Sequence, residues 1–173
     1  MEPELLGWPP DGPQLELDYR TFSYAGKFVM TTTGKAVIRD GGEIRAAAAF
    51  NEDRTDDSTL WIRYITTHVD HRGEGLGPRL LAFVLDRARE RGYGRVRIAV
   101  NNPFAYEACY RAGFSYTGRE TGLAELVLEA PASAEREHYQ EGHDAFRERD
   151  LGESERAFLD RKRGADPPNG RGG

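Results

Sequence analysis

The sequence predicts a mixed α/β fold: a mostly antiparallel sheet, one parallel strand pair, and flanking helices. Three observations carry this expectation. Runs of alternating β-formers separated by glycine turns fill residues 15–67. A strand, an amphipathic helix and a second strand follow one another across residues 59–100, the connection that makes parallel neighbours. A short capped helix and a β-hairpin then occupy residues 102–128. With 173 residues the chain is long enough for one ordinary domain with a real core, plus tails.

Taken in order, residues 1–13 carry acids and prolines and read as an N-terminal tail; they lack the basic start and apolar centre of a signal peptide. A domain over residues 14–130 follows. Residues 15–22, 27–33, 36–39 and 43–50 read as strands of an antiparallel meander, with Gly41-Gly42 as a hairpin turn. The next strand, 59–67, ends at a glycine-rich turn. No amphipathic helix is legible before residue 75. From residue 76 to 91, Leu76, Leu80, Phe83, Val84 and Ala88 share one helical stripe. Pro78 is tolerated only near a helix start, which fixes the N-terminus beside the glycines. Gly92 stops this helix, and Val96, Ile98 and Val100 alternate through the strand at 95–100. Asn102-Pro103 reads as N-cap and first helical residue, the cap being worth about 1 kcal/mol. Gly113 closes that helix as a left-handed residue, with Phe114 packing back on it. Residues 115–120 and 123–128 form a hairpin across Thr121-Gly122. After Pro131 the composition turns to Glu and Arg, so 131–163 reads as a charged helical extension and 164–173 as a disordered tail. Its few apolar residues, Tyr139, Phe146, Phe158 and Leu159, favour docking on the core or on a second copy over a solvated appendage; a homodimer is therefore among the expected partners.

The segment Val69-Asp70-His71-Arg72-Gly73-Glu74-Gly75-Leu76-Gly77 places three glycines between a strand and a helix. Glycine permits positive φ and close approach of a ligand, while the helix start offers unpaired N–H groups and the positive end of its dipole. An anion is the natural guest. A Walker loop is excluded, because neither its lysine nor its hydroxyl is present, and the glycine spacing also differs from the dinucleotide fingerprint Gly-x-Gly-x-x-Gly.

The spacing that fits is Arg72-x-x-Gly75-x-Gly77 after an apolar-alternating run, which resembles the acetyl-CoA pyrophosphate loop of the GNAT superfamily of N-acetyltransferases. A second stretch supports the likeness: Asn102, Ala105, Gly113 and Phe114 fall in the family's register, and Cys109 stands where the family commonly carries tyrosine. The resemblance covers mainly residues 59–128. It implies a GNAT-like sheet whose central parallel strands splay apart, and acetyl-CoA as acetyl donor. It places the pyrophosphate on the turn and helix start formed by Gly73, Glu74, Gly75, Leu76, Gly77 and Pro78, with Arg72 adding charge. The pantetheine arm would run along the backbone of Ile65, Thr66 and Thr67 like an added strand. Asn102 would lie near the far end of the arm; this and its reading as an N-cap stand side by side. The two helices that GNAT proteins place after their first strand are missing here, which departs from the pattern.

For such an enzyme the acceptor amine must be neutral, yet a lysine-like amine of pKa near 10.4 is about 99.9% protonated at pH 7. Tyr64 and His68 lie on or beside the strand facing the acceptor, and histidine titrates in the useful range, so His68 is the candidate base against its plainer reading as a surface residue. His71 points into the phosphate loop and is the weaker choice. Glu52, Asp53, Asp56 and Asp57 form an acidic loop that would attract a cationic acceptor, although a solvated loop accounts for them more simply. The leaving thiolate needs a proton donor. Cys109 has the position but a short side chain; Tyr106, one turn earlier on nearly the same face, is the better hydroxyl candidate, and Tyr110 is rotated away. The resulting reading is an N-acetyltransferase acting on a primary amine of a small molecule or peptide. The alternative is a non-catalytic acetyl-CoA-binding or protein-interaction module with a degenerate site.

Composition narrows the rest. A net charge of -5 disfavours nucleic-acid partners. A single cysteine leaves no disulfide framework and no multi-cysteine zinc site, and no metal is called for. No run approaches the apolar length of a membrane helix, so no membrane partner and a cytoplasmic location are expected.

Overall fold

The computed structural model describes residues 1–9, 12–132 and 136–168, with Arg136 described for its backbone alone. The part of the expected disordered tail at 169–173 lies outside the described residues, as do 10–11 of the expected N-terminal tail and 133–135 of the extension. The fold is mixed α/β, with seven strands in the order β1-β2-β3-β4-β5-β7-β6, mostly antiparallel, β4 and β5 being the parallel pair. The chain divides into two compact units, Met1–Val96 and Arg97–Gly173, the boundary falling inside β5 (Arg95–Val100).

In the first unit, β1 (Pro3–Gly7), β2 (Gly34–Asp40), β3 (Glu43–Glu52) and β4 (Thr59–Thr67) pair antiparallel in sequence order. Gly41 and Gly42 turn the β2–β3 hairpin at φ 61° and 85°, the double positive-φ turn that matches strand twist. Ala46 to Ala49 of β3 are fully buried, and such small side chains allow cover to approach the sheet closely from both sides. Ala47 and Ala49 join Leu15, Phe28 and Val37 in one cluster. Helix α1 (Leu76–Glu90) packs on β2, β3 and β4 and buries Leu76, Leu80, Leu81, Val84, Leu85 and Ala88.

Three segments differ from the sequence expectation. Part of the N-terminal stretch read as a tail is the edge strand β1, which runs from Pro3 opposite Ile38; a proline at the start of an edge strand removes no needed ladder bond. Residues 15–22 are not a strand, because Asp18 turns the chain. Its carboxylate accepts from the Arg20 N–H at 2.9 Å and its carbonyl from Thr21 and Phe22, a local alternative to a ladder. Residues 27–33 likewise give way to a 3-10 helix, Ala25–Val29, entered through Tyr24 at φ 61°. No α-helix precedes Leu76 among the described residues.

The second unit holds α2 (Pro103–Ala112), the hairpin β6 (Ser115–Glu120) and β7 (Leu126–Ala130), and then α3 (Arg136–Arg147) and α4 (Glu153–Arg161). The second hairpin strand starts later than expected because the Thr121 hydroxyl accepts the N–H groups of Leu123 and Glu125, holding a wider loop with Ala124 at φ 60°. The charged extension docks within this unit: α3 packs on β6 and α4 on α2, and Tyr139, Phe146 and Leu159 are at most 1% exposed. No helix among the described residues is long and apolar enough to cross a membrane.

Candidate functional site

Strand β4 delivers the chain to the glycine turn. Ile65, Thr66 and Thr67 pair with Ala48, Ala47 and Ala46 of β3, and the His68 N–H closes the ladder on the Arg45 carbonyl at 2.7 Å. The Thr66 hydroxyl is buried without a partner. A single 3-10 turn, Val69–His71, then leads into Gly73 at φ 81° and Gly75 at φ 79°, the latter being the left-handed N-cap of α1 with no side-chain cap. A residue with a Cβ pays roughly 1–2 kcal/mol to hold such a φ, which is why both positions are glycine. A Cβ built on either would meet nothing within 4 Å, and one on Gly77 would meet only the Thr67 hydroxyl at 3.9 Å, so the turn faces open space. Among the described residues, none accepts from the main-chain N–H groups of Gly73, Glu74, Gly75, Leu76 or Gly77. Pro78 has no N–H to satisfy. Bare N–H groups, an uncapped helix start and free space above them fit a diphosphate.

Charges around the turn are arranged consistently with that. Arg72 is exposed, tethered only loosely from Nη2 to the Ser23 hydroxyl at 3.4 Å. The Glu74 carboxylate is drawn to His71 Nδ1 at 3.2 Å. The His68 ring packs edge-on to Phe22 at 5.3 Å, and its Nδ1 accepts the Asp70 N–H at 3.1 Å. A neutral imidazole that accepts at Nδ1 carries its proton on Nε2. In that tautomer His68 offers a ligand a donor, and the geometry gives no support to its assignment as base. Tyr64 is half-buried among Tyr24, Phe28 and Lys27.

The acidic loop serves largely itself. Asp56 accepts from Ser58 and Thr59, and the Ser58 hydroxyl and N–H, followed by the Thr59 hydroxyl, hold its carboxyl down to about 2. Asp53 accepts from Thr55 and from the Trp61 indole N–H at 2.5 Å, and Glu52 accepts from the Tyr93 hydroxyl at 2.9 Å. No group of side chains among the described residues is arranged to hold a metal ion.

In the second unit, Asn102 caps α2: its Oδ1 accepts the Ala105 N–H at 2.8 Å. The two proton-donor candidates are inside the unit. Tyr106 is fully buried, with its hydroxyl donating to the carbonyls of Tyr139 at 3.0 Å and His138 at 3.3 Å. Burial first, and then the neighbouring tyrosines, push its pKa far above the ordinary phenol value. Cys109 is 1% exposed, and burial raises its thiol well above the ordinary value. Tyr110 is buried as well, accepting the Tyr116 N–H at 3.0 Å. The helix period put Tyr106 and Cys109 on one face correctly; what covers that face, the extension's α3, has no local signal in α2.

Sequence reasoning also missed a bulge in β4. Ala49 opposes Tyr64 and Phe50 opposes Ile62, leaving Arg63 as the extra residue beside a cavity. Bulges re-aim a side chain and favour the edges of functional sites. The bulge follows from the register of two strands, and neither strand alone betrays it.

A model of the GNAT acetyltransferase family matches residues 3–114, more than half of the chain. The chain belongs to the GNAT acetyltransferase family. The family uses acetyl-CoA as acetyl donor. Among solved structures, this GNAT chain is similar to an N-acetyltransferase from Staphylococcus aureus at 18% identity and TM-score 0.51, covering 56% of this chain and 66% of that one. It is similar to a nourseothricin acetyltransferase at 26% identity and TM-score 0.50, covering 56% and 64%. An acetyltransferase from Bacillus subtilis in complex with CoA aligns at 16% identity and TM-score 0.57 over 74% of this chain and 96% of its own. The chain thus spans just under two thirds of the first two relatives. Curated proteins gave no match.

Proposed function

We propose that this chain transfers an acetyl group from acetyl-CoA to a primary amine of a small molecule or peptide. The observation that carries the proposal is the turn from Gly73 to Gly77, whose main-chain N–H groups lack partners and face open space at the start of an uncapped helix. Family membership supports acetyl-CoA as the anion carrier for such a turn. In this reading Gly73, Glu74, Gly75, Leu76 and Gly77 bind the diphosphate with main-chain N–H groups, and Arg72 adds a mobile cation. Each helix-end interaction is worth about 0.3–1 kcal/mol, more where partly buried. Ile65, Thr66 and Thr67 orient the arm through main-chain bonds. Bound acetyl-CoA supplies the activated acetyl thioester. His68, whose Nδ1 accepts the Asp70 N–H, has Nε2 left to face a ligand.

A second reading, a module that binds acetyl-CoA without transfer, is favoured by one observation: the hydroxyl of Tyr106 and the thiol of Cys109 are both enclosed in the second unit. Two measurements separate the readings. Thiol release from acetyl-CoA over a panel of primary amines supports transfer; calorimetric binding of CoA with no release over the whole panel supports the second. Absence of heat with CoA overturns both.

A further inference from the structure

The β4 bulge borders a cavity of about 490 Å³ in the first unit, a size within the roughly 300–1,000 Å³ of small-molecule sites. Met30, Asn51, Asp53, Trp61, Arg63 and Tyr64 are among its walls. Arg63, the bulged residue, is held in two ways. Its Nε donates to Asn51 Oδ1 at 2.6 Å, and its guanidinium carbon lies 5.2 Å from the centre of the Trp61 ring. Trp61 is itself fixed through its indole N–H on Asp53. Its one side-chain hydrogen bond leaves the two terminal nitrogens of Arg63 without a hydrogen bond to a described residue, and Asp53 acts on it through charge. Burial draws its pKa down while Asp53, the next cause, raises it, so it remains a cation. A guanidinium anchored at Nε and drawn to the Trp61 ring presents its outer nitrogens as a fork, the shape that grips a carboxylate in two places.

The opposite charge is also present. Glu52 and Asp53 line the same cavity, so a ligand carrying only negative charge faces two carboxylates there, and one carrying only positive charge faces Arg54 and Arg63. A molecule with both an amine and a carboxylate meets a partner for each. Arg63 is four residues upstream of Thr67 on β4, about 13 Å at the strand rise. That puts the cavity on the strand assigned to the cofactor arm, beyond its far end.

We propose that the acceptor enters this cavity as a small molecule bearing both an amine and a carboxylate, and that Arg63 clamps the carboxylate. The identification of the occupant as acceptor rests on the acetyl-transfer reading; the carboxylate site itself does not. Three four-carbon probes decide it: 2-aminobutyrate, butyrate and n-butylamine, titrated against Trp61 fluorescence in a Trp8→Phe background. 2-Aminobutyrate binds at least tenfold more tightly than either butyrate or n-butylamine, and Arg63→Met abolishes its advantage over n-butylamine while CoA calorimetry stays as in the parent, which shows the variant folded. Arg63→Lys, which keeps the charge and loses the fork, retains only part of the 2-aminobutyrate affinity. Binding of butyrate or n-butylamine as tight as that of 2-aminobutyrate, unchanged 2-aminobutyrate affinity in Arg63→Met, or no response to any probe overturns the proposal. Carboxylate binding in a protein that gives no heat with CoA would instead sink the acetyl-transfer reading and leave the clamp standing.

Discussion

Replacing Gly75 with alanine tests the cradle directly, because its costs can be separated. Gly75 sits at φ 79° with nothing within 4 Å of a built Cβ, so Gly75→Ala adds backbone strain and no collision within the protein. The strain is about 1–2 kcal/mol, the usual left-handed penalty for an L-residue. Gly42 offers a matched control at φ 85°, also with nothing within 4 Å, in the β2–β3 hairpin. Urea denaturation of Gly75→Ala and Gly42→Ala therefore shows similar losses. Coenzyme A binding distinguishes them. In Gly75→Ala the new methyl stands in the space left for the anion and the relaxed turn re-aims its N–H groups, so losing one or two contacts of about 0.3–1 kcal/mol, or more where partly buried, weakens binding by about tenfold. Gly42→Ala leaves CoA affinity unchanged. Calorimetry finding parental affinity in Gly75→Ala, or the same loss in both variants, refutes the assignment of the cradle.

Other consequences are equally measurable. His143 is fully buried, with neither ring nitrogen in a hydrogen bond and Glu107 Oε2 at 4.0 Å from Nε2, and burial, then the Arg147 and Lys162 cations, lower its pKa from 6.5 to about 4. The unfolded chain takes up that proton first as pH falls, so about 3 kcal/mol of stability is lost between pH 6.5 and about 4, and His143→Phe flattens the urea profile in that window alone. Asp56, held down to about 2 mainly by Ser58, contributes stability that is lost only at lower pH, between 3.8 and about 2, a window that Asp56→Asn removes. Gly142 lies against the Tyr106 hydroxyl, so in Gly142→Ala the overpacking, about 1–3 kcal/mol, exceeds the helix propensity gain of up to about 1, and a raised melting temperature would contradict this contact. Asn102→Ala loses the α2 cap and about 1 kcal/mol by urea denaturation, and an unchanged midpoint would show that the bond to Ala105 is dispensable.

What was legible in the sequence depended on how local its cause is. Strand 59–67, the glycine turn, α1, strand 95–100 and the Asn102-Pro103 helix start were readable because caps, glycines and periodicity act within a few residues. β1 was not, since it exists only by pairing with residues some thirty positions later in the chain. The bulge at Arg63 belongs to two strands at once, and with it went the cavity and the guanidinium drawn to Trp61. The expected strands at 15–22 and 27–33 failed for the opposite reason: Asp18 and the left-handed Tyr24 redirect the chain locally, against a β-rich composition. For Tyr106 and Cys109 the helical face was right and the environment wrong, because Tyr139, His143 and Phe146 of α3 cover Tyr106.

That covering decides what Tyr106 can do. A phenol already donating to two main-chain carbonyls, inside a ring of aromatic side chains, has neither a free proton nor an aqueous route to regain one. Its role is then to tie α3 to α2, a structural bond between the extension and the rest of the second unit. Tyr106→Phe keeps the ring and removes only the hydroxyl, so it loses one buried hydrogen bond shared between two α3 carbonyls, at about 1 kcal/mol. Thiol release per folded molecule stays within about twofold of the parent, since a general acid would have contributed about 10²–10⁴ and this hydroxyl contributes none. Under the structural role stability falls and turnover holds, and under the catalytic one turnover falls. A hundredfold fall in release with an unchanged urea midpoint would require α3 to leave α2 during turnover, and the enclosed face described above would not be the working state of the enzyme.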